Sequence, residues 1–169
     1  EISYNINTIN SREAGSYDTH VRGLNRLHQF EKVEIVRIEK PENSYAALEE
    51  MVIHVQSILE DLELPFRILR LCGGDTGFAA AMTYDFEVWS AAQEKWLEVS
   101  SVSNFETFQA NRLKCRIKGE GKTQLAHTLN GSAMALPRIM AALLENNQVE
   151  GGIKLPKIVA EYARFEMID

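Results

Sequence analysis

Cysteine is scarce. Cys72 and Cys115 are the only two in 169 residues, too few for a disulfide scaffold, and neither stands in a C-x-x-C pair of metal-ligand spacing. Reduced, buried thiols are the expectation. No apolar run reaches the roughly 18 residues needed to cross a bilayer, and Glu1 and Ile2 open the chain without a basic segment leading into an apolar core. We therefore expect no membrane contact, no export signal and a cytoplasmic location. Positive charge is also in short supply: 18 lysines and arginines face 24 aspartates and glutamates, a net charge of -6. That is the wrong sign for a surface holding polyphosphate by non-specific attraction, so any nucleic-acid contact must be local or made by another part. Low-complexity segments, repeats and Pro/Gly/Ser-rich linkers are missing as well, which favours a single domain. Apolar material is plentiful: 45% hydrophobic residues beside 25% charged ones suit a compact core and exclude disorder.

The periodicity of that apolar material gives the fold class. Ile2, Tyr4 and Ile6 alternate with polar residues as in a half-buried strand, and residues 29–40 alternate again. Between them lies a polar stretch with Gly15, Ser16, Asp18, Thr19 and His20, expected to be a mobile loop of a length that is usually functional. After Pro41, Leu48, Met51, Val52, Val55, Ile58, Leu59 and Leu62 recur every three or four residues, a long amphipathic helix that Asn43 or Ser44 can cap. Short strands are predicted over 66–71, 79–89, 95–101 and 113–117, then a hairpin at Gly119, Glu120 and Gly121 and a strand through His127. Leu136, Ile139, Met140, Leu143 and Leu144 mark a second helix, with Pro137 tolerated in its first turn. The class is α+β, a mostly antiparallel β-sheet flanked by helices.

Three constellations carry chemistry. On a strand, Arg26, His28, Phe30, Lys32 and Glu34 project to one side. An aromatic flanked by cations and ending in a carboxylate can stack a planar base and fix an amine, although a solvated, salt-bridged face gives the same alternation. Second, Trp96, Glu98 and Ser100, followed by Ser101, Ser103 and Asn104, place one carboxylate among hydroxyls, suited either to a paired cation or to a metal. Third, His127 to Ser132 and then Arg138 read as strand, turn and helix start, an anion site unless Asn130 and Ser132 are simple caps. Gly121, Lys122 and Thr123 imitate the end of a phosphate loop, but Arg116 stands where its first glycine belongs and a strand pattern follows. The four histidines, His20, His28, His54 and His127, form no ligand cluster, and His54 on the long helix reads as a packing residue.

Taken together, the motifs resemble bacterial-type seryl-tRNA synthetases, which are class II enzymes. Arg12-Glu13-Ala14-Gly15-Ser16-Tyr17, Val21-Arg22-Gly23-Leu24 and the run from Arg26 to Glu34 resemble motif 2. Gly74-Asp75-Thr76-Gly77-Phe78, Tyr84-Asp85-Phe86-Glu87-Val88-Trp89, Glu98-Val99-Ser100-Ser101, Ser103-Asn104-Phe105 and Phe108-Gln109-Ala110 resemble the sheet that follows, and His127 to Ser132 with Pro137-Arg138 and Leu144-Glu145-Asn146 resembles motif 3. The resemblance implies a partial class II catalytic core over residues 1–169, with motif 2 at about 10–40 and motif 3 at about 127–147. It implies ATP and Mg2+ as cofactors, with serine and tRNA(Ser) as the partners of seryl-adenylate formation and transfer. Arg12, Glu13, Arg26, Phe30, Glu98, Val99, Ser100, Ser101 and Arg138 would line the ATP site, Phe30 stacking on the adenine and Arg138 gripping the terminal phosphate. Glu34, Asn130 and Ser132 would take serine. Glu98 and Ser101 would hold the metal, and Glu98 and Arg138 would be the catalytic pair.

Two departures from the family pattern set further expectations. Ser11 stands where the motif 2 arginine holds the α-phosphate, a donor whose loss typically costs about 3 to 4 kcal/mol, and Asp18, Thr19 and His20 replace the usual acceptor-end loop residues. The helical tRNA-binding arm and motif 1 are not found before Ser11. We therefore expect a fragment of weak activity on its own, self-associating here and homodimeric in its full-length context. A synthetase-like paralogue serving as a binding or regulatory module is the alternative, and a small ligase charging serine onto a carrier protein is a third.

Overall fold

A computed structural model of the chain describes residues 2–10, 24, 27–118 and 121–169. Six strands build one antiparallel sheet: β1 (Ile2–Asn10), β2 (Gln29–Glu39), β3 (Phe66–Arg70), β4 (Met82–Ser90), β5 (Lys95–Asn104) and β8 (His127–Ala135), in the spatial order β1-β2-β8-β5-β4-β3. A small hairpin, β6 (Arg116–Lys118) with β7 (Thr123–Leu125), precedes β8, and β9 (Gln148–Val149), β10 (Gly152–Lys154) and β11 (Met167–Ile168) form a three-stranded sheet near the C-terminus. The helices are α1 (Ser44–Asp61), α2 (Thr107–Leu113), α3 (Leu136–Asn146) and α4 (Lys157–Ala163). None of the described helices is long and apolar enough to cross a membrane.

The periodicity of the long helix translates into burial. Leu48, Met51, Val55 and Leu59 of α1 are buried together with Ile139 and Ala142 of α3, and both helices pack on one face of the sheet against Ile35, Phe86, Val88, Val99, Val102 and Leu129. Burying each large side chain of this kind contributes about 1.5 to 3 kcal/mol. Asn43 takes the N-cap position of α1 without a side-chain bond. Instead Ser44 Oγ donates to the Pro41 carbonyl at 3.1 Å, lies 2.7 Å from His127 Nδ1 and accepts from Asn104 Nδ2 at 3.2 Å, tying α1 to β8 and β5. His127 is thus a structural partner of Ser44, and His54 meets Tyr4 edge to face, ring centroids 5.8 Å apart.

Three expectations change. Residues 107–113 are helical, so Phe108, Gln109 and Ala110 belong to α2 and Leu113 ends it rather than opening a strand. Seven residues give too little periodicity to separate a helix from a strand. Asn130, Gly131 and Ser132 continue β8 instead of forming a turn, with α3 beginning only at Leu136. The thiols are free but not buried, Cys72 being exposed and Cys115 half-buried. Tyr4 and Ile6 on the edge strand β1 are exposed. Gly15, Ser16, Asp18, Thr19 and His20 of the expected mobile loop lie outside the described residues, as do Ser11, Arg12, Glu13 and Arg26.

Candidate active site

The face of the sheet opposite α1 and α3 collects the polar side chains. β2 pairs with β1 in unbroken register from Ile2↔Arg37 to Asn10↔Gln29, so its alternation is regular. Val33 and Ile35 turn toward the helices, while Phe30, Lys32 and Glu34 share the other face. On β8, Ser132 stands opposite Glu34 and Asn130 opposite Val36. The Ser132 hydroxyl donates to Glu34 Oε1 at 3.2 Å, and Lys32 Nζ reaches the same oxygen at 2.6 Å. Asn130 Nδ2 donates to Gln109 Oε1 of α2 at 3.1 Å, and the Thr128 hydroxyl donates to that oxygen at 2.8 Å. Gln109 thereby carries α2 onto this face.

Two bulges align the strands. On β4 and β5, Asp85 pairs with Ser101 and Phe86 with Ser100, but Glu87 pairs with Glu98, leaving Val99 as an extra residue. In a regular strand Glu98 and Ser101, three apart, would point to opposite faces. The bulge turns both to the polar face, with Asp85 and Glu87 beside them, and sends Val99 into the core. A second bulge, with Ala133 as the extra residue, follows Ser132 and returns Met134 to the apolar side opposite Val33.

Between these strands the ladder opens. β5 and β8 pair only from Asn104↔Leu129 to Val102↔Gly131. A side chain on Gly131 would put its Cβ 2.6 Å from the Ser101 carbonyl oxygen, so only glycine lets the strands approach before they separate. Beyond that point the Ser100 hydroxyl donates to the Ser132 carbonyl, and Arg138, from the first turn of α3, donates through Nη1 to the Glu98 carbonyl. The charges of Arg138 and Lys32 both act on Glu98, which joins the two halves of the site.

Among the described residues, acidic groups crowd one another here. Burial raises the pKa of Glu98, Asp85 and Glu87 raise it further, and Arg138 and Lys32 oppose them. Burial also raises Asp85, against a hydrogen bond from Ser101 that lowers it, with Glu87 and Asp75 pushing up. Glu87 is held by Arg67 Nε at 2.5 Å, but Asp85 Oδ1 is buried without a hydrogen-bond partner among the described residues. Those residues contain no group of three or more His, Cys, Asp or Glu side chains arranged to hold a metal unaided. A hard cation that takes most of its ligands from a phosphate and water needs only one or two protein oxygens. Glu98 and Ser101 on one face beside an unpaired carboxylate oxygen fit such an ion.

The structure therefore places Phe30, Glu34, Glu98, Ser101, Asn130 and Ser132 on one face of the sheet and joins Arg138 to the Glu98 carbonyl. Val99 and Ser100 are 2% exposed each, and their side chains serve the core and the Ser132 carbonyl because the bulge rotates them off the polar face, leaving their backbone for any contact with a ligand. Arg12, Glu13 and Arg26 lie outside the described residues. Asp85 and Gln109 were not among the site residues expected from sequence, and Lys32 was expected on that face without an assigned role. A signal existed for Asp85, since its alternation with Phe86 and Val88 puts Asp85 and Glu87 on one face of an otherwise apolar strand.

An antiparallel sheet with helices on one face and this set of groups on the other is the architecture of a class II aminoacyl-tRNA synthetase core. The chain belongs to the family described as tRNA synthetase class II core domain (G, H, P, S and T), whose model matches residues 3–147. It is 59% identical over 160 residues to the serine–tRNA ligase of Salinibacter ruber, covering 93% of this chain and 37% of that protein. Its identity to the serine–tRNA ligase of Chromobacterium violaceum is 56% over 152 residues, covering 89% and 36%. Among solved structures, the seryl-tRNA synthetase from Pyrococcus horikoshii complexed with ATP superposes with a TM-score of 0.93 at 36% identity, covering 99% of this chain and 38% of that one. The cytoplasmic serine–tRNA ligase from Naegleria fowleri in complex with AMP gives 0.89 at 25% identity, covering 100% and 41%. The chain spans a little over a third of the length of the curated relatives it matches.

Proposed function

We propose that this chain is the ATP- and serine-binding portion of a serine–tRNA ligase. In this reading serine and ATP form seryl-adenylate, whose seryl group then passes to tRNA(Ser) in the full-length, homodimeric, cytoplasmic enzyme. The convergence of Glu34, Ser132, Lys32, Glu98 and Arg138 on one polar face carries this reading, and the likeness to synthetase structures with bound ATP or AMP supports it.

The chemistry is displacement at phosphorus, which depends on positioning and charge neutralisation more than on proton transfer. Phe30 offers its ring to the adenine. Glu34 takes the serine ammonium in place of Lys32, and Ser132 stands beside it for the substrate's polar groups. The serine carboxylate is then the nucleophile at the α-phosphate, and Arg138 steadies the leaving pyrophosphate through its guanidinium. Glu98 and Ser101 would hold Mg2+, which supplies neutralisation of phosphate charge when bound. Arg12, Glu13 and Arg26 complete the expected ATP contacts.

Calorimetry with ATP and Mg2+ tests the reading directly. Nucleotide binding that tightens on Ser11→Arg, accompanied by slow serine-dependent exchange of pyrophosphate into ATP, is the expected result. Absence of nucleotide binding in both proteins would refute it.

A further inference from the structure

Within the proposed ATP site, Asp85 has no assigned task and an unusual environment. Its carboxylate sits in β4 directly opposite Ser101, whose hydroxyl favours its ionised form. Its Oδ1 is buried and unpaired among the described residues. The nearest carboxylate on its own strand, Glu87, has Arg67 as counter-ion, whereas the charges acting on Asp85 are the repulsive ones of Glu87 and Asp75. A buried, unpaired carboxylate oxygen is costly, and native structures retain such groups where an ion or bound water answers them. A structural purpose does not account for it, since asparagine would serve Ser101 equally well as an acceptor without the charge.

We propose that Asp85 is a positioning residue for the phosphate-bound divalent cation: it accepts a hydrogen bond from the Ser101 hydroxyl so that the serine oxygen's lone pairs face the metal, and its Oδ1 accepts a hydrogen bond from a metal-bound water. The direction of the hydrogen bond matters. A hydroxyl oxygen whose proton is committed to a carboxylate is a better oxygen ligand than one free to rotate, and a nearby acceptor strengthens the hold on a coordinated water. The bulge at Val99 permits this by placing Glu98 and Ser101 on the face that Asp85 shares. This role rests on the ATP reading of the site.

The test uses the chain with Mn2+ and a non-hydrolysable ATP analogue, following bound Mn2+ by electron paramagnetic resonance, together with thermal melting in the absence of both. Asp85→Asn should weaken Mn2+ binding to the analogue-loaded chain about 10- to 100-fold, the usual scale for partners of metal ligands. It should melt at the same temperature or higher, because a buried charge has been removed. In a Ser101→Ala background the same substitution should weaken Mn2+ binding by a smaller factor, since much of its effect runs through the serine. Undiminished Mn2+ affinity in Asp85→Asn overturns the role, as does a melting point several degrees lower. If the unsubstituted chain binds the analogue neither with nor without Mn2+, the ATP reading itself fails. Binding with unaltered metal affinity in the variant removes only Asp85.

Discussion

The Ser132 hydroxyl donates to Glu34 Oε1 at 3.2 Å across 98 positions of sequence. This bond ties together the parts of β2 and β8 proposed to bind serine, and Lys32 shares the same oxygen. Glu34 is thus preorganised as an acceptor for a second ammonium group.

Glu34→Gln should keep the shape and lose the charge. A hydrogen bond to a charged group contributes about 1.5 to 3 kcal/mol, so binding of a non-hydrolysable seryl-adenylate analogue should weaken by about 10- to 100-fold by calorimetry. The adenosine half alone should bind both proteins alike.

Phe30→Ala should act on the other end of the substrate. Removing an aromatic ring on which a base stacks typically costs about 1 to 3 kcal/mol. ATP affinity is expected to drop accordingly, whereas Phe30→Tyr should retain most of it. Equal ATP binding by Phe30→Ala and the unsubstituted chain would show that adenine sits elsewhere.

The two carboxylates with raised pKa make stability and metal binding respond oppositely to pH. Because burial raises Glu98 and Asp85, the folded chain holds their protons more tightly than the unfolded chain. Their contribution to stability therefore falls as pH rises from the unfolded values through the raised folded ones. Urea unfolding from acid to neutral pH should show Glu98→Gln gaining on the unsubstituted chain across that window, with no gain where the carboxyl is protonated in both states. Metal binding needs the ionised carboxylate and should strengthen with pH over the same range.

Gly131→Ala probes the close approach of β5 and β8. Its Cβ would meet the Ser101 carbonyl oxygen at 2.6 Å and Val102 Cα at 2.8 Å, backbone atoms that cannot rotate away. Overpacking of this kind costs about 1 to 3 kcal/mol or more. A lower melting temperature should accompany weaker Mn2+ binding, since the displaced strand carries both Ser101 and Glu98.

Much of this was legible in the sequence where a repeat was long enough to read. The alternation of β2 put Phe30, Lys32 and Glu34 on one face, and the three-and-four spacing of α1 identified the side that packs on the sheet. The short α2 carried too few apolar positions to announce itself, so Gln109, which holds Asn130 and Thr128, was missed. Asp85 was part of a recognised motif, but nothing in its neighbours along the chain indicated that Ser101 would face it.

The sequence by itself determined the local elements, the family and the chemical types available to a site, because periodicity and motif composition are properties of neighbouring residues. Only the tertiary structure decided which of those groups share a surface. A strand's side-chain direction depends on counting from a fixed register, and a single extra residue, Val99 on β5, reverses that count. That reversal puts Glu98 and Ser101 on one face and takes Ser100 off it. Such a bulge is defined by the hydrogen bonds of the partner strand rather than by the residues that form it.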